Sequence, residues 1–242
     1  RLEYERLIHN ELRVLRQRVP LTPAESSQIA PAAIPAEAFD YQRFADRFRG
    51  SEQYVRSKLQ FYLPYFEGRR EVLDVGCGRG EFLEMVKGRG IDLSEESVAY
   101  CRRKGLRADV ADLFPYLNNL PGRALDGIFS SQVVEHLPPE RLPEMIRLCA
   151  AKLARGGVLA LETPNPDCLA IFATHFFLDP THARPVPSAL LAFYMEEAGM
   201  GGIEVHPLSP AVESFPEIAE LPEGFRNRFF GGLDYAIVAK KL

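Results

Sequence analysis

The sequence predicts an α/β fold: a doubly wound sheet, mostly parallel, with an antiparallel strand at one edge and a helix preceding it. Three observations predict this. From about residue 39 onward, runs of strand type alternate with runs of helix type, the order produced by a parallel sheet with crossover helices. A strand of buried type, Val72-Leu73-Asp74-Val75, runs directly into a glycine loop and a helix. Near the C-terminus, residues 203–208 and 235–240 carry apolar alternation with no helix expected between them, so they should pair antiparallel at an edge.

Taken in order, residues 1–19 read as a helix, because Tyr4, Ile8, Leu12, Leu15 and Val19 recur at spacings of four and three among Arg, Glu and Gln. The stripe is close to a heptad seam. It offers either a face to pack on its own domain or a coiled coil joining copies into a homo-oligomer. Residues 20–38, broken by Pro20, Pro23, Pro31 and Pro35, read as a Pro/Ala/Ser linker, and residues 39–242 as the main domain. Strands are expected at 70–75, 91–92, 106–110, 125–130 and 157–163. Helices are expected at 81–86, 95–104, 139–153 and 187–199. One crossover is tight: Gly80 and Asp92 stand 12 positions apart, where loop, helix and strand together usually take about 20 residues. Either both elements are very short or chain is missing near 87–89, and the second reading is preferred. Residues 209–232, with Pro210, Pro216, Pro222 and Gly231-Gly232, read as a flap over a site or as a plain surface loop.

The bulk numbers exclude several classes. A length of 242 residues suits one α/β domain and an appendage, and an apolar fraction of 46% supports a core. The 29 basic residues are outnumbered by 33 acidic ones, for a formal net charge of −4. That argues against a nucleic-acid partner, which calls for a basic face. Cys77, Cys101, Cys149 and Cys168 form no CxxC pair and show no ligand spacing with histidine, so reduced buried thiols of a cytoplasmic protein are expected. No apolar run approaches the ~20 residues of a membrane span. Association with a membrane complex would therefore be peripheral, at the inner face.

The loop Gly76-Cys77-Gly78-Arg79-Gly80 follows a buried-type strand and precedes a helix. Glycines serve where the turn is tight and a ligand approaches the backbone. The GxGxG spacing, with Asp74 in the strand end, resembles motif I of class I S-adenosylmethionine-dependent methyltransferases and not the dinucleotide fingerprint of dehydrogenases. A dinucleotide sets its pyrophosphate on the helix N-terminus. S-adenosylmethionine has no phosphate, so its loop need only pass close beside the methionine and ribose. The resemblance implies a Rossmann-like sheet and S-adenosylmethionine as cofactor. It places Asp74, Gly76, Cys77, Gly78 and Gly80 at the cofactor. It gives Asp92 the ribose hydroxyls, Asp112 the adenine amino group and Leu93 with Leu113 the faces of the ring. Gln132, in Ser131-Gln132-Val133-Val134-Glu135-His136-Leu137, faces the methionine part. Arg43 and Arg47, one helical turn apart, and Arg49 offer a bidentate clamp for the cofactor's carboxylate.

Three strings are more specific: residues 43–50 (RFADRFRG), 131–138 (SQVVEHLP), and 162–166 (ETPNP) with 178–185 (LDPTHARP). Together they resemble bacterial methyltransferases encoded with surface-polysaccharide genes, including those described as O-antigen chain-terminating. That resemblance implies a glycan acceptor and agrees with a coiled coil at residues 1–19. A hydroxyl acceptor needs its proton taken by a group within hydrogen-bond reach. His182, in Asp179-Pro180-Thr181-His182, is the first choice, with Asp179 to orient its ring, and His136 is the second. A metal on Asp179 and His182 is the weaker reading, and none is expected. Arg184 could hold an acidic glycan end. The alternatives are a small acceptor such as a quinone or lipid-like phenol, favoured by a deep apolar pocket near Phe172, Phe176 and Phe177, and a non-catalytic cofactor-binding scaffold.

Overall fold

The computed structural model describes residues 47–242. The expected helix at 1–19, the linker at 20–38 and Arg43 lie outside them. Arg47 and Phe48 belong to an N-terminal unit ending at Phe48, within which the Arg47 guanidinium lies 5.6 Å from the Phe48 ring centre.

The second unit, Arg49–Leu242, carries a seven-stranded sheet. Its elements in order are α1 (Glu52–Leu59), α2 (Leu63–Phe66), β1 (Val72–Val75), α3 (Leu83–Val86), β2 (Arg89–Asp92), α4 (Glu95–Arg103), β3 (Ala108–Val110) and α5 (Leu113–Asn119). There follow β4 (Leu125–Ser131), α6 (Leu142–Lys152), β5 (Leu153–Pro164), α7 (Ala170–Thr174), α8 (Ser188–Glu197), β6 (Met200–Pro210), α9 (Ala211–Ser214), α10 (Glu223–Phe229) and β7 (Gly232–Lys241). The sheet order is β3-β2-β1-β4-β5-β7-β6. The first five strands run parallel, and β7 runs antiparallel to both neighbours, closing one edge with β6 outermost.

Strand period decides the two cores, because successive side chains point to opposite faces. Leu159 and Leu161 of β5, with Tyr235, Ile237 and Ala239 of β7, face α5, α6 and α8. Val158 and Ala160, with Ala236 and Val238, face Leu59, Tyr62, Phe66 and Phe82 on the other side. Both faces are covered, so β1 is buried at all four positions. Among the described residues, no helix is long and apolar enough to cross a membrane.

The structure corrects two expectations. No residues need be missing near 87–89, because α3 has a single turn, Lys87 ends it in the left-handed region (φ 49°), and β2 follows at once. Gly90 makes the short crossover workable. A Cβ there would lie 2.6 Å from Cys77 and 2.7 Å from Leu83, so β2 can pass this close only without a side chain. Residues 209–232 are not a plain loop: α9, α10 and the turn Pro216–Glu220 lie there. Val212, Phe215, Ile218 and Leu221 pack with Cys168, Ile171 and Phe176 into a separate apolar cluster. Helices α1, α2 and α5 were not anticipated.

Candidate active site

The glycine loop leaves β1 with the Gly76 and Cys77 N–H groups both donating to the Ile91 carbonyl, at 2.8 and 3.0 Å. Gly76 has φ 75°, and a Cβ on it would come within 2.4 Å of the Val133 side chain, so only glycine fits between the loop and the chain leaving β4. Asp92, at the end of β2, is held from two sides: its carboxylate accepts from the Gly78 and Ser94 N–H groups, each at 2.8 Å. Leu93, next to it, is 72% exposed, an apolar platform at the strand ends. Asp112 is exposed and caps α5, accepting from Phe114 N–H at 2.8 Å.

Beneath the loop lie two buried acids, Asp74 and Glu81. Burial pushes the Asp74 carboxyl well above its ordinary range, against the lowering influence of Arg49. Glu81 accepts from Arg79 Nε at 2.8 Å and lies 3.7 Å from Arg49, while its Oε2 has no hydrogen-bond partner. Arg49 reaches over the loop: a Cβ on Gly78 would lie 2.1 Å from its guanidinium. The residues fit S-adenosylmethionine. A loop that bares its backbone at three glycines passes beneath, a rigid carboxylate (Asp92) stands ready for hydroxyls, an exposed Leu93 offers a face to a ring, and a guanidinium (Arg49) lies where a carboxylate can pair.

Two cofactor assignments change. Leu113 is packed in the main core because the first turn of α5 points inward, so of the two leucines only Leu93 is exposed. The Cys77 side chain turns under the loop among Leu83, Val98, Cys101 and Ala108. Its hydrogen bond with the Cys101 thiol, with burial, holds the thiol far above the ordinary range, so Cys77 can serve a ligand only through its backbone.

The other half of the site surrounds the ends of β4, β5 and β7. Gln132 adopts φ 58°, rare for a side chain of this kind, and donates from Nε2 to Asp234 at 3.2 Å. Glu162 accepts from the Tyr62 hydroxyl at 2.5 Å and from Ser131 at 3.0 Å. Burial raises the pKa of both Glu162 and Asp234. Glu135 is fully buried and accepts from the Thr163 hydroxyl at 2.9 Å. Burial, reinforced by the charges of Asp234 and Glu162, pushes it up to about 8. Glu135 also anchors the loop after α7, since its carbonyl accepts from Ala183 N–H at 2.7 Å.

That loop brings the expected histidines together. The His136 and His182 rings lie 4.7 Å apart, edge to face. Asp179 does not orient His182 through a direct bond, for its carboxylate stands 4.0 Å from His182 Nε2 and accepts instead from Thr181 N–H (2.8 Å) and Thr181 Oγ1 (2.6 Å). The group that fixes His182 is the Phe176 carbonyl, 2.6 Å from Nδ1. Thr181 Oγ1 lies 2.8 Å from His136 Nδ1. Burial, then the nearby His182, lowers the His136 pKa to about 4, so this ring is neutral near pH 7. Sequence reasoning passed over Glu135, Glu162, Asp234, Thr181 and Tyr62 as site residues. Glu162 and Thr181 stood within quoted strings without a role, and Tyr62 and Asp234 carried no local signal.

A family model described as a methyltransferase domain matches residues 41–205. The crystal structure of a SAM-dependent methyltransferase from Archaeoglobus fulgidus superposes with a TM-score of 0.76 and 37% identity, covering 84% of this chain and all of that one. A protein of Mycolicibacterium smegmatis described as a "Probable S-adenosylmethionine-dependent methyltransferase" is 30% identical over 54% of this chain. The match spans 51% of that relative, about half its length. A ubiquinone biosynthesis O-methyltransferase from Bordetella avium is 30% identical over 59% of this chain and 68% of its own. The chain belongs to the family of S-adenosylmethionine-dependent methyltransferases.

Proposed function

We propose that this chain transfers the methyl group of S-adenosylmethionine to a hydroxyl oxygen, and that the acceptor is a sugar of a glycan or of its lipid-linked precursor. One observation carries the hydroxyl reading. At the rim of the strand ends, beside the loop fitted to the cofactor, two histidines meet with their Nδ1 atoms engaged by the Phe176 carbonyl and the Thr181 hydroxyl. When bound, the cofactor supplies a sulfonium methyl that is already strongly activated. The chain's own residues then have two tasks: to align the acceptor and exclude water, and to take the hydroxyl proton. We assign the second to His182, with His136 as the second choice. The cluster formed by Phe176, Ile171 and Ile218 closes the same end of the sheet, suiting it to the first.

The sugar reading draws on the strings at 43–50, 131–138, 162–166 and 178–185, and on how the cap uses its aromatic residues. Phe176 is buried against Phe172 and His182, while Phe177 is 72% exposed. These rings are spent on packing the cap and on its surface, leaving a rim of Gln132, Thr181, His182 and Arg184. The Bordetella avium relative supports a second reading, a phenolic quinone precursor. Incubating the protein with S-adenosylmethionine carrying a labelled methyl, against bacterial glycans in one series and dihydroxyphenols in another, decides between them. Label in glycan is the expected result; label only in the phenol would transfer the assignment, and label in neither would remove the hydroxyl reading.

A further inference from the structure

The group of side chains where the 3-10 turn after β4 meets the loop after α7 holds more than proton transfer requires. Glu135, His136 and His182 each bring one ligand atom to within 4.8 Å of the others, with Glu135 buried and the histidines partly so. Three further observations bear on this group. Glu135 Oε2 is occupied by Thr163, but Oε1 is buried with no hydrogen-bond partner, and a buried carboxylate oxygen left so is costly unless something compensates it. His182 donates its Nδ1–H to the Phe176 carbonyl, which leaves the ring's lone pair on Nε2. Thr181 gives its hydroxyl proton to Asp179, so it accepts from His136 Nδ1, and that ring's lone pair also falls on Nε2. Tying one ring nitrogen to a carbonyl, or to a carboxylate through a hydroxyl, is how metal-ligating histidines are oriented.

We propose that Glu135, His136 and His182 form a binding site for one divalent transition-metal cation. Two imidazoles and one carboxylate suit zinc or iron(II) and leave coordination positions open. Bonds of about 2.0–2.2 Å would bring the donor atoms to about 3.5 Å from one another, so the two histidine rings close inward on binding. The sequence leads to the expectation of no metal, with Asp179 and His182 as the weaker reading of a metal-holding pair; in the structure Asp179 sits behind Thr181 as an orienting group. Bound here, the cation would occupy the Nε2 lone pairs and so replace the histidines as the group that activates the acceptor, holding its oxygen and easing loss of its proton to water. That role rests on the hydroxyl reading above, whereas the binding site does not.

The test is titration of tag-free, chelator-stripped full chain with Co2+, followed by visible absorption, with S-adenosylhomocysteine binding measured by calorimetry on each variant as the check on folding. One equivalent of Co2+ per chain with ligand-field bands is expected. Glu135→Gln and His182→Asn should each abolish the bands, and Thr181→Val should weaken binding about tenfold, all with S-adenosylhomocysteine affinity retained. Absence of bands in the parent chain, or bands unchanged in both Glu135→Gln and His182→Asn, would overturn the site. No acceptor is present in this experiment. A wrong acceptor class therefore leaves it untouched, and a failed titration leaves methyl transfer with the histidines as proton acceptors standing.

Discussion

The two halves of the strand-end rim are built from different materials. On the β1–β2 side the bonds run through backbone: Gly76 and Cys77 N–H to Ile91, Gly78 and Ser94 N–H to Asp92. Their partners lie within about one crossover of each other. On the β4–β5–β7 side the bonds join side chains from distant parts of the chain. Tyr62 reaches Glu162 across 100 positions, Gln132 reaches Asp234 across 102, and His136 meets Thr181 across 45. A site made of backbone demands glycine at set spacings and so leaves a contiguous motif. A site made of side chains demands only that the fold converge, and leaves no spacing rule. The first half can then serve a cofactor common to a family, while the second is free to vary with the acceptor.

If the halves are this distinct, damage to one should spare the other. The largest effect is expected from His182→Ala: turnover falls by roughly 10²–10⁴, while calorimetric affinity for the cofactor stays unchanged. Equal loss of both would merge the halves. Gly90→Ala should act on the first half through the core, since the added Cβ meets Cys77 and Leu83. It should cost about 1–3 kcal/mol in denaturant unfolding and weaken cofactor binding with it. Leu93→Ala, at an exposed position, should leave stability within about 0.5 kcal/mol yet lower cofactor affinity roughly 3- to 10-fold. A loss of stability instead would place Leu93 in the core's service.

The smallest effect concerns Asp234, whose carboxyl burial holds above its ordinary range. The folded chain then binds this proton more tightly than the unfolded chain. Its stabilising contribution is complete below the ordinary carboxylate range and is lost as pH rises through the raised value. Asp234→Asn keeps an acceptor for Gln132 and removes the charge. Its thermal midpoint, relative to the parent chain, should therefore climb as pH rises above the ordinary carboxylate range; a gap that does not change with pH would show that the carboxyl is not raised.

Strands β1, β4 and β5 were legible because a sheet covered on both faces makes apolar runs. Helix α1 was not: EQYVRSKL buries only Leu59, so no stripe announces it. Helix α5 is seven residues long with Pro115 in its first turn. The prolines of residues 209–232 suggest a flap or a plain surface loop. Pro210 and Pro222 in fact stand just before α9 and α10, and Pro216 opens the turn at 216–220, positions where a missing N–H costs nothing. Within the site, the order of Asp74, the glycines and Asp92 could be read in line, whereas the outward Leu93 and inward Leu113 look alike in sequence.

From the residues alone came the family, the cofactor and the sheet that carries it, because glycine requirements and two-faced burial are local and leave their pattern along the chain. The partner of His182, the buried Glu135 with its open oxygen, and the choice of Arg49 over the loop came only with the fold. Each depends on where segments up to a hundred positions apart come to rest, and that is settled by packing of the whole, which no short stretch records.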